Sequence, residues 1–216
     1  MTYGISAKYN KMAKLAINIY LDYNLTSFPI KPKRLASRMG FLIIYYSDLE
    51  PETRELMCKF SYDGFNFPHK SGNNYVRTIY INDLIMSSAR REVSVFHEIK
   101  HIVNYDCETE NEEKNKENEK LADYFAKYMK CPIPYLIYKR IANITDIMSV
   151  FHTSEEMAIN VRKGLLARIK KYDYDIFDYE LPLLELLVGS ELDYSKFTVI
   201  DSVVKGGETN KAPKLE

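Results

Sequence analysis

The chain has little with which to staple, span or charge-steer. Its three cysteines, Cys58, Cys107 and Cys131, are odd in number and form no CxxC pair. That excludes a disulfide framework and fits reduced, structurally buried thiols in a cytoplasm. Only 8 glycines and 8 prolines occur among 216 residues, which excludes fibrous and low-complexity classes. No apolar run approaches the roughly 20 residues a spanning helix needs. The strongest runs, residues 41–46 and 181–188, are far shorter, and the second contains Glu185. Asn18 and Asp22 interrupt the first apolar stretch and no small-residue cleavage site follows, so neither a signal peptide nor a membrane partner is expected. Charge of one sign is also missing: 30 Lys and Arg balance 30 Asp and Glu, leaving no global electrostatic case for direct nucleic-acid binding. Residues 1–40 do carry seven basic residues against Asp22 alone, which reads as a solvated basic face.

What is present is an ordinary apolar fraction, 46%, in a chain long enough to bury a real core. Helical spacing of Met12, Leu15, Ala16, Ile19 and Tyr23 predicts a first helix over 6–23. A short helix is expected from Pro32 to Met39, ended by Gly40, and the run FLIIYY after it reads as a buried strand. MCKFSY, FNFPH and YVRTIYIN, separated by Asp63-Gly64 and SGNN, suggest an antiparallel hairpin or meander. Helical spacing returns from Ser87 and again over 117–130, stopped by Pro132, with a polar loop between. Thr153 and Glu156 read as a capping box for a later helix. The order of helices, strands and helices predicts an α+β fold, with a small antiparallel sheet packed on helices. Residues 1–171 form the main domain in this reading, 172–204 a C-terminal helical appendage, and 205–216 a disordered tail.

The chemistry concentrates in Phe96-His97-Glu98-Ile99-Lys100-His101, an HExxH motif within a helical pattern. Four residues advance a helix by slightly more than one turn, so His97 and His101 project from one face and can direct ring nitrogens at one ion. Glu98 lies beside that face, placed to hold a water and take its proton rather than to ligate. A catalytic zinc site wants a third protein ligand and an open position. Glu119 is the candidate, because it sits one turn before Ala122, the first of the apolar residues Ala122, Phe125, Ala126 and Met129 that would dock its helix on the motif helix. Asp123, four residues on, can accept a hydrogen bond from a ligating histidine. Glu108, Glu110, Glu112, Glu113 and Glu117 compete, but read as solvated charges. His69 and His152 read as structural or solvated, and Tyr105, Tyr124 and Tyr128 are weak candidates for oxyanion stabilisation.

These stretches resemble the ImmA/IrrE family of zinc metallopeptidases, encoded by bacteria and their mobile elements. The resemblance covers about residues 10–165 and rests on YVRTIYIN, RREVSVFHEIKHIV and ENEKLADYFAKYMKCP, with a weaker Ser154, Ala158, Arg162 pattern. It implies a zincin-like, gluzincin-type domain with ligands at His97, His101 and Glu119 and catalytic Glu98, using zinc, with manganese the alternative. Three positions depart from the pattern: Lys100 replaces a common glycine, Leu121 a second carboxylate, and Cys131 a methionine. Lys100 is expected either to be exposed or to alter the charge of the cleft.

The expected activity is hydrolysis of a peptide bond by metal-activated water, with the YVRTIYIN strand pairing with an extended substrate. The resemblance implies a protein substrate, a helix-turn-helix repressor of a prophage or mobile element, cleaved to release the element's genes. The alternatives are an antirepressor, or a toxin–antitoxin component, that binds such a partner with a structural metal. Glu98 argues against a purely structural site, which needs no general base.

Overall fold

The computed structural model describes residues 7–71, 74–106 and 111–202. Cys107, Glu108, Glu110 and the expected tail at 205–216 lie outside them. In chain order the elements are α1 (Ala7–Asp22), α2 (Pro32–Arg38), β1 (Leu42–Tyr45), α3 (Pro51–Phe60), β2 (Gly64–Ser71), β3 (Asn74–Ile81), α4 (Ser88–Val103), α5 (Glu112–Lys130), α6 (Ile133–Tyr138), α7 (Ile144–Phe151), α8 (Glu155–Tyr172), β4 (Ile176–Phe177), α9 (Leu181–Val188) and β5 (Val199–Ile200). The fold is α+β and mostly helical. No helix among the described residues is long and apolar enough to cross a membrane.

Two compact units divide the chain, one spanning Ile30–Lys130 and the other built from α1 and the elements after Lys130. In the first, three strands are ordered β1-β3-β2. β2 runs antiparallel to β3, with Gly64 opposite Ile81 and Phe67 opposite Thr78. β1 runs parallel to β3, with Leu42 opposite Thr78, so the sheet is mixed rather than wholly antiparallel. Parallel pairing follows from the connection: α3 lies between β1 and the hairpin and carries the chain back before β2 begins.

Three readings of this region are corrected. β1 is an edge strand, partly exposed along its length, with Leu42 44% exposed, rather than a buried strand. MCKFSY is not a strand: residues up to Phe60 belong to α3, which starts with Pro51 in its first turn and Glu52 near its positive end. Leu56, Met57 and Phe60 follow helical spacing, which a short window misread as alternation. α5 begins at Glu112, five residues before the expected start, because the run of Glu, Lys and Asn is compatible with a helix once its apolar half is docked.

α4 and α5 form the helical layer. Ser87 caps α4, its hydroxyl accepting from the Arg90 N–H at 3.3 Å. Val95, Phe96, Ile99 and Ile102 of α4 and Ala122, Phe125, Ala126 and Met129 of α5 are buried where the helices pack on each other. Each larger apolar side chain contributes about 1.5–3 kcal/mol by leaving water. α4 also packs on β2, β3 and α2, which fixes the motif helix beneath the sheet.

In the second unit α1 packs on α9, and α8 on α6 and α7. Ser154, not Thr153, caps α8, accepting from the Met157 N–H at 3.3 Å. Arg162 donates from Nε to the Ala142 carbonyl at 3.0 Å, a structural bond between α8 and the chain before α7. The C-terminal segment is not purely helical, since β4 and β5, which precede and follow α9 in the chain, form a two-stranded parallel pair. A buried Arg168–Glu180 ion pair at 3.0 Å ties this segment to α8. Cys131 is buried, whereas Cys58 on α3 is exposed, contrary to the expectation of a structural thiol.

Candidate metal centre

His97 and His101 project from the same face of α4, one turn apart, with ring centroids 4.9 Å apart. α5 supplies the third group, because Glu119 lies one turn before its docked apolar residues. His97 Nε2 and His101 Nε2 are 3.1 Å apart. Glu119 approaches the first through Oε2 at 3.0 Å and the second through Oε1 at 3.3 Å. Among the described residues these three form the cluster of His, Cys, Asp and Glu able to hold a metal ion. Zinc bonds of about 2.0–2.1 Å in a tetrahedron require donors about 3.3 Å apart, so the triangle fits zinc with little movement.

The far side of each ring is also held. His97 Nδ1 faces Asp123 Oδ1 at 3.1 Å, and His101 Nδ1 faces Asp106 Oδ2 at 3.0 Å. A carboxylate can only accept, so each Nδ1 carries hydrogen and each Nε2 is turned toward the ligand triangle. Burial alone would lower the His97 pKa, but hydrogen bonds to Asp123 and Glu119 outweigh it and raise the value to about 9. Glu119 is held well below the usual carboxylate range, chiefly by its bonds to His101 and His97.

Glu98 is 8% exposed and does not join the triangle. Its Oε2 accepts from Asn66 Nδ2 of β2 at 2.8 Å, a partner 32 residues away that sequence spacing does not single out. Asp106 is hidden from sequence spacing for a different reason. Tyr105 takes a left-handed conformation with φ of 53°. That reversal lets the Asp106 N–H donate to the His101 carbonyl at 3.0 Å and brings its carboxylate back beneath the ring. Of the two expectations for Lys100, exposure is excluded: it is fully buried, ion-paired with Asp106, and donates to the Asn118 carbonyl at 3.0 Å.

A cleft of about 730 Å³ opens above these groups, between β2, α4 and the first half of α5. Glu112, Glu113 and Glu117 are exposed and stand outside the ligand cluster. His69 and His152 are exposed and line no part of the cleft, nor do Tyr105, Tyr124 or Tyr128. The expected substrate strand is also corrected. β3 is central, flanked by β1 and β2, whereas β2 carries the sheet edge that lines the cleft.

Comparison with curated proteins found no match. Residues 30–160 match the IrrE N-terminal-like domain, the peptidase M78 family, over a span that contains all of α4 and α5 and the sheet. That span is more than half of the chain, and the protein therefore belongs to the IrrE N-terminal-like (M78) family of metallopeptidases.

Proposed function

We propose that the protein is a cytoplasmic zinc-dependent endopeptidase whose substrate is another protein, a helix-turn-helix repressor of a prophage or mobile element. The observation that carries the catalytic part is the ligand triangle with a non-ligating carboxylate, Glu98, on the same helix and facing the same cleft. Zinc held by His97, His101 and Glu119 would polarise a scissile carbonyl and make a water acidic enough to attack near neutral pH. Glu98 accepts the proton of that water and delivers it to the leaving amine nitrogen. Asn66 keeps one carboxylate oxygen occupied, which leaves the other for the proton.

The edge of β2 suits an extended substrate. The Asn82 N–H donates to the Asp63 carbonyl at 3.1 Å. Antiparallel pairs alternate, so the register turns the backbone groups of Gly64, Asn66 and Pro68 away from β3. Pro68 lacks an N–H at such an outward position, where the ladder with β3 loses nothing. A segment pairing with the Asn66 backbone would pass directly by Glu98. Phe60 and Phe67, 72% and 61% exposed at the rim, favour large apolar side chains in that segment.

The repressor assignment rests on the family resemblance. Its test is incubation of wild type and Glu98→Gln with a small helix-turn-helix repressor from the same genome. Cleavage by wild type alone, with about one zinc in each protein, is the expected result. A stable complex that neither protein cleaves would instead favour an antirepressor that works by binding.

A further inference from the structure

An ammonium group is rarely buried without a compensating charge and hydrogen bonds. Lys100 has no exposed side-chain surface and stands immediately before the ligand-bearing His101. Its two partners adjoin two of the three candidate ligands. Asp106, 10% exposed, is its ion-pair partner and also accepts from His101 Nδ1 at 3.0 Å and Asn104 Nδ2 at 2.7 Å. The other partner is the carbonyl of Asn118 on α5, the residue before Glu119.

We propose that Lys100 is a positioning residue for the metal centre, acting through Asp106 on the His101 ring and through the Asn118 carbonyl on the turn that carries Glu119. The proposal rests on the reading of His97, His101 and Glu119 as metal ligands. Its physical basis is charge placement. Asp106 sits at the C-terminus of α4, where the helix dipole disfavours a carboxylate. Lys100 supplies the opposite charge and a hydrogen-bond donor, which hold the Asp106 carboxylate in place against His101 Nδ1. That bond places hydrogen on Nδ1, which makes Nε2 the nitrogen whose lone pair a metal would take. The second bond, to Asn118, ties the two ligand-bearing helices together one residue from Glu119.

The molecule contains its own control. Lys130, at the end of α5, is also buried and pairs with Glu92 of α4. It joins the same two helices at their other end but touches no ligand. A purely structural role for Lys100 therefore makes Lys100→Met and Lys130→Met equivalent, and a positioning role separates them.

The experiment measures zinc affinity of the full chain by competition with a chromophoric chelator, thermal stability, and the His101 tautomer by nitrogen-15 NMR. Lys130→Met is expected to lower thermal stability while keeping zinc affinity within about twofold of wild type. Lys100→Met and Asp106→Asn are each expected to weaken zinc about 10–100-fold, the range for loss of an outer-shell partner. Both are also expected to give mixed His101 tautomers. A folded Lys100→Met protein that binds zinc as wild type does overturns the proposal. Should Lys100→Met fail to fold, the isosteric Asp106→Asn decides, and wild-type zinc affinity there overturns it equally. If wild type itself binds no zinc, the metal-centre reading falls and takes the proposal with it. Equal binding by wild type and Lys100→Met removes the proposal alone.

Discussion

Zinc binding should expel a proton from His97, and the structure gives its size and pH range. A ligating imidazole must be neutral at the donating nitrogen. In the metal-free protein, burial works against the charged ring, but hydrogen bonds to Asp123 and Glu119, and the nearby Glu98 carboxylate, hold its pKa at about 9. At pH 7 His97 is therefore almost wholly protonated, and the metal must displace that proton. Glu119 is held well below the usual carboxylate range by His101 and His97, so it is already ionised and releases none. Apparent zinc affinity should rise about tenfold per pH unit from 7 toward 9, about 1.4 kcal/mol each, and level off above. For the metal-free fold the sign is the reverse. A raised histidine pKa stabilises it fully below the ordinary histidine value, and that contribution is lost as pH rises through about 9. Calorimetric titration with zinc at pH 7, in buffers of different ionisation enthalpy, should report about one proton released per zinc. His97→Gln should abolish both the release and most of the affinity. Affinity that is flat between pH 7 and 9, with no proton released, would refute this reasoning.

Other expectations follow from single contacts. Glu119→Ala should weaken zinc by more than the roughly 100-fold that loss of an outer-shell partner brings, whereas Glu117→Ala should not change it. The reverse pattern in elemental analysis of the purified variants would reassign the third ligand. Asn66→Ala removes the 2.8 Å bond to Glu98. At about 1.5–3 kcal/mol for a bond to a charged group, kcat should drop about 10–100-fold with zinc content unchanged. A drop in zinc content instead would place Asn66 in metal binding. Gly64→Ala should destabilise the fold by at least about 1–3 kcal/mol, because a Cβ there would lie 2.4 Å from the Tyr80 carbonyl oxygen at a φ of 153°. An unchanged thermal midpoint would show that β2 enters the sheet differently.

The parts of the site legible in sequence are those fixed by short-range helical geometry. His97 with His101, and Glu119 with Asp123, are i, i+4 pairs, so once α4 and α5 form, each pair shares a face. Glu119 could be chosen over its acidic neighbours because the apolar residues after it say which face docks. Asn66 was not legible, since its meeting with Glu98 depends on how α4 packs beneath β2. Asp106 depends on a left-handed residue, Tyr105, that carries no glycine or asparagine signal. The burial of Lys100 was not legible, because a lysine in an amphipathic pattern is ordinarily solvated and its burial needs partners from the end of α4 and from α5.

The fold was legible to a similar depth. The strands of the hairpin and the long helices carry their periodicity in the chain, and the α+β class follows from their order. α3 was lost because its apolar residues, Leu56, Met57 and Phe60, bury little and give a weak signal, none of its residues being fully buried. The parallel placement of β1 beside β3 is a long-range pairing that no local pattern encodes. It matters for function, because it makes β3 central and leaves the edge of β2 facing the cleft.

Whether His97, His101 and Glu119 hold one zinc ion with a coordination position left open is read from X-ray absorption on the zinc-loaded protein. Two imidazoles and light oxygen donors at about 2.0–2.1 Å are expected, with one imidazole lost in His101→Ala. Sulfur at about 2.3 Å, or an imidazole shell unchanged in His101→Ala, would contradict that ligation.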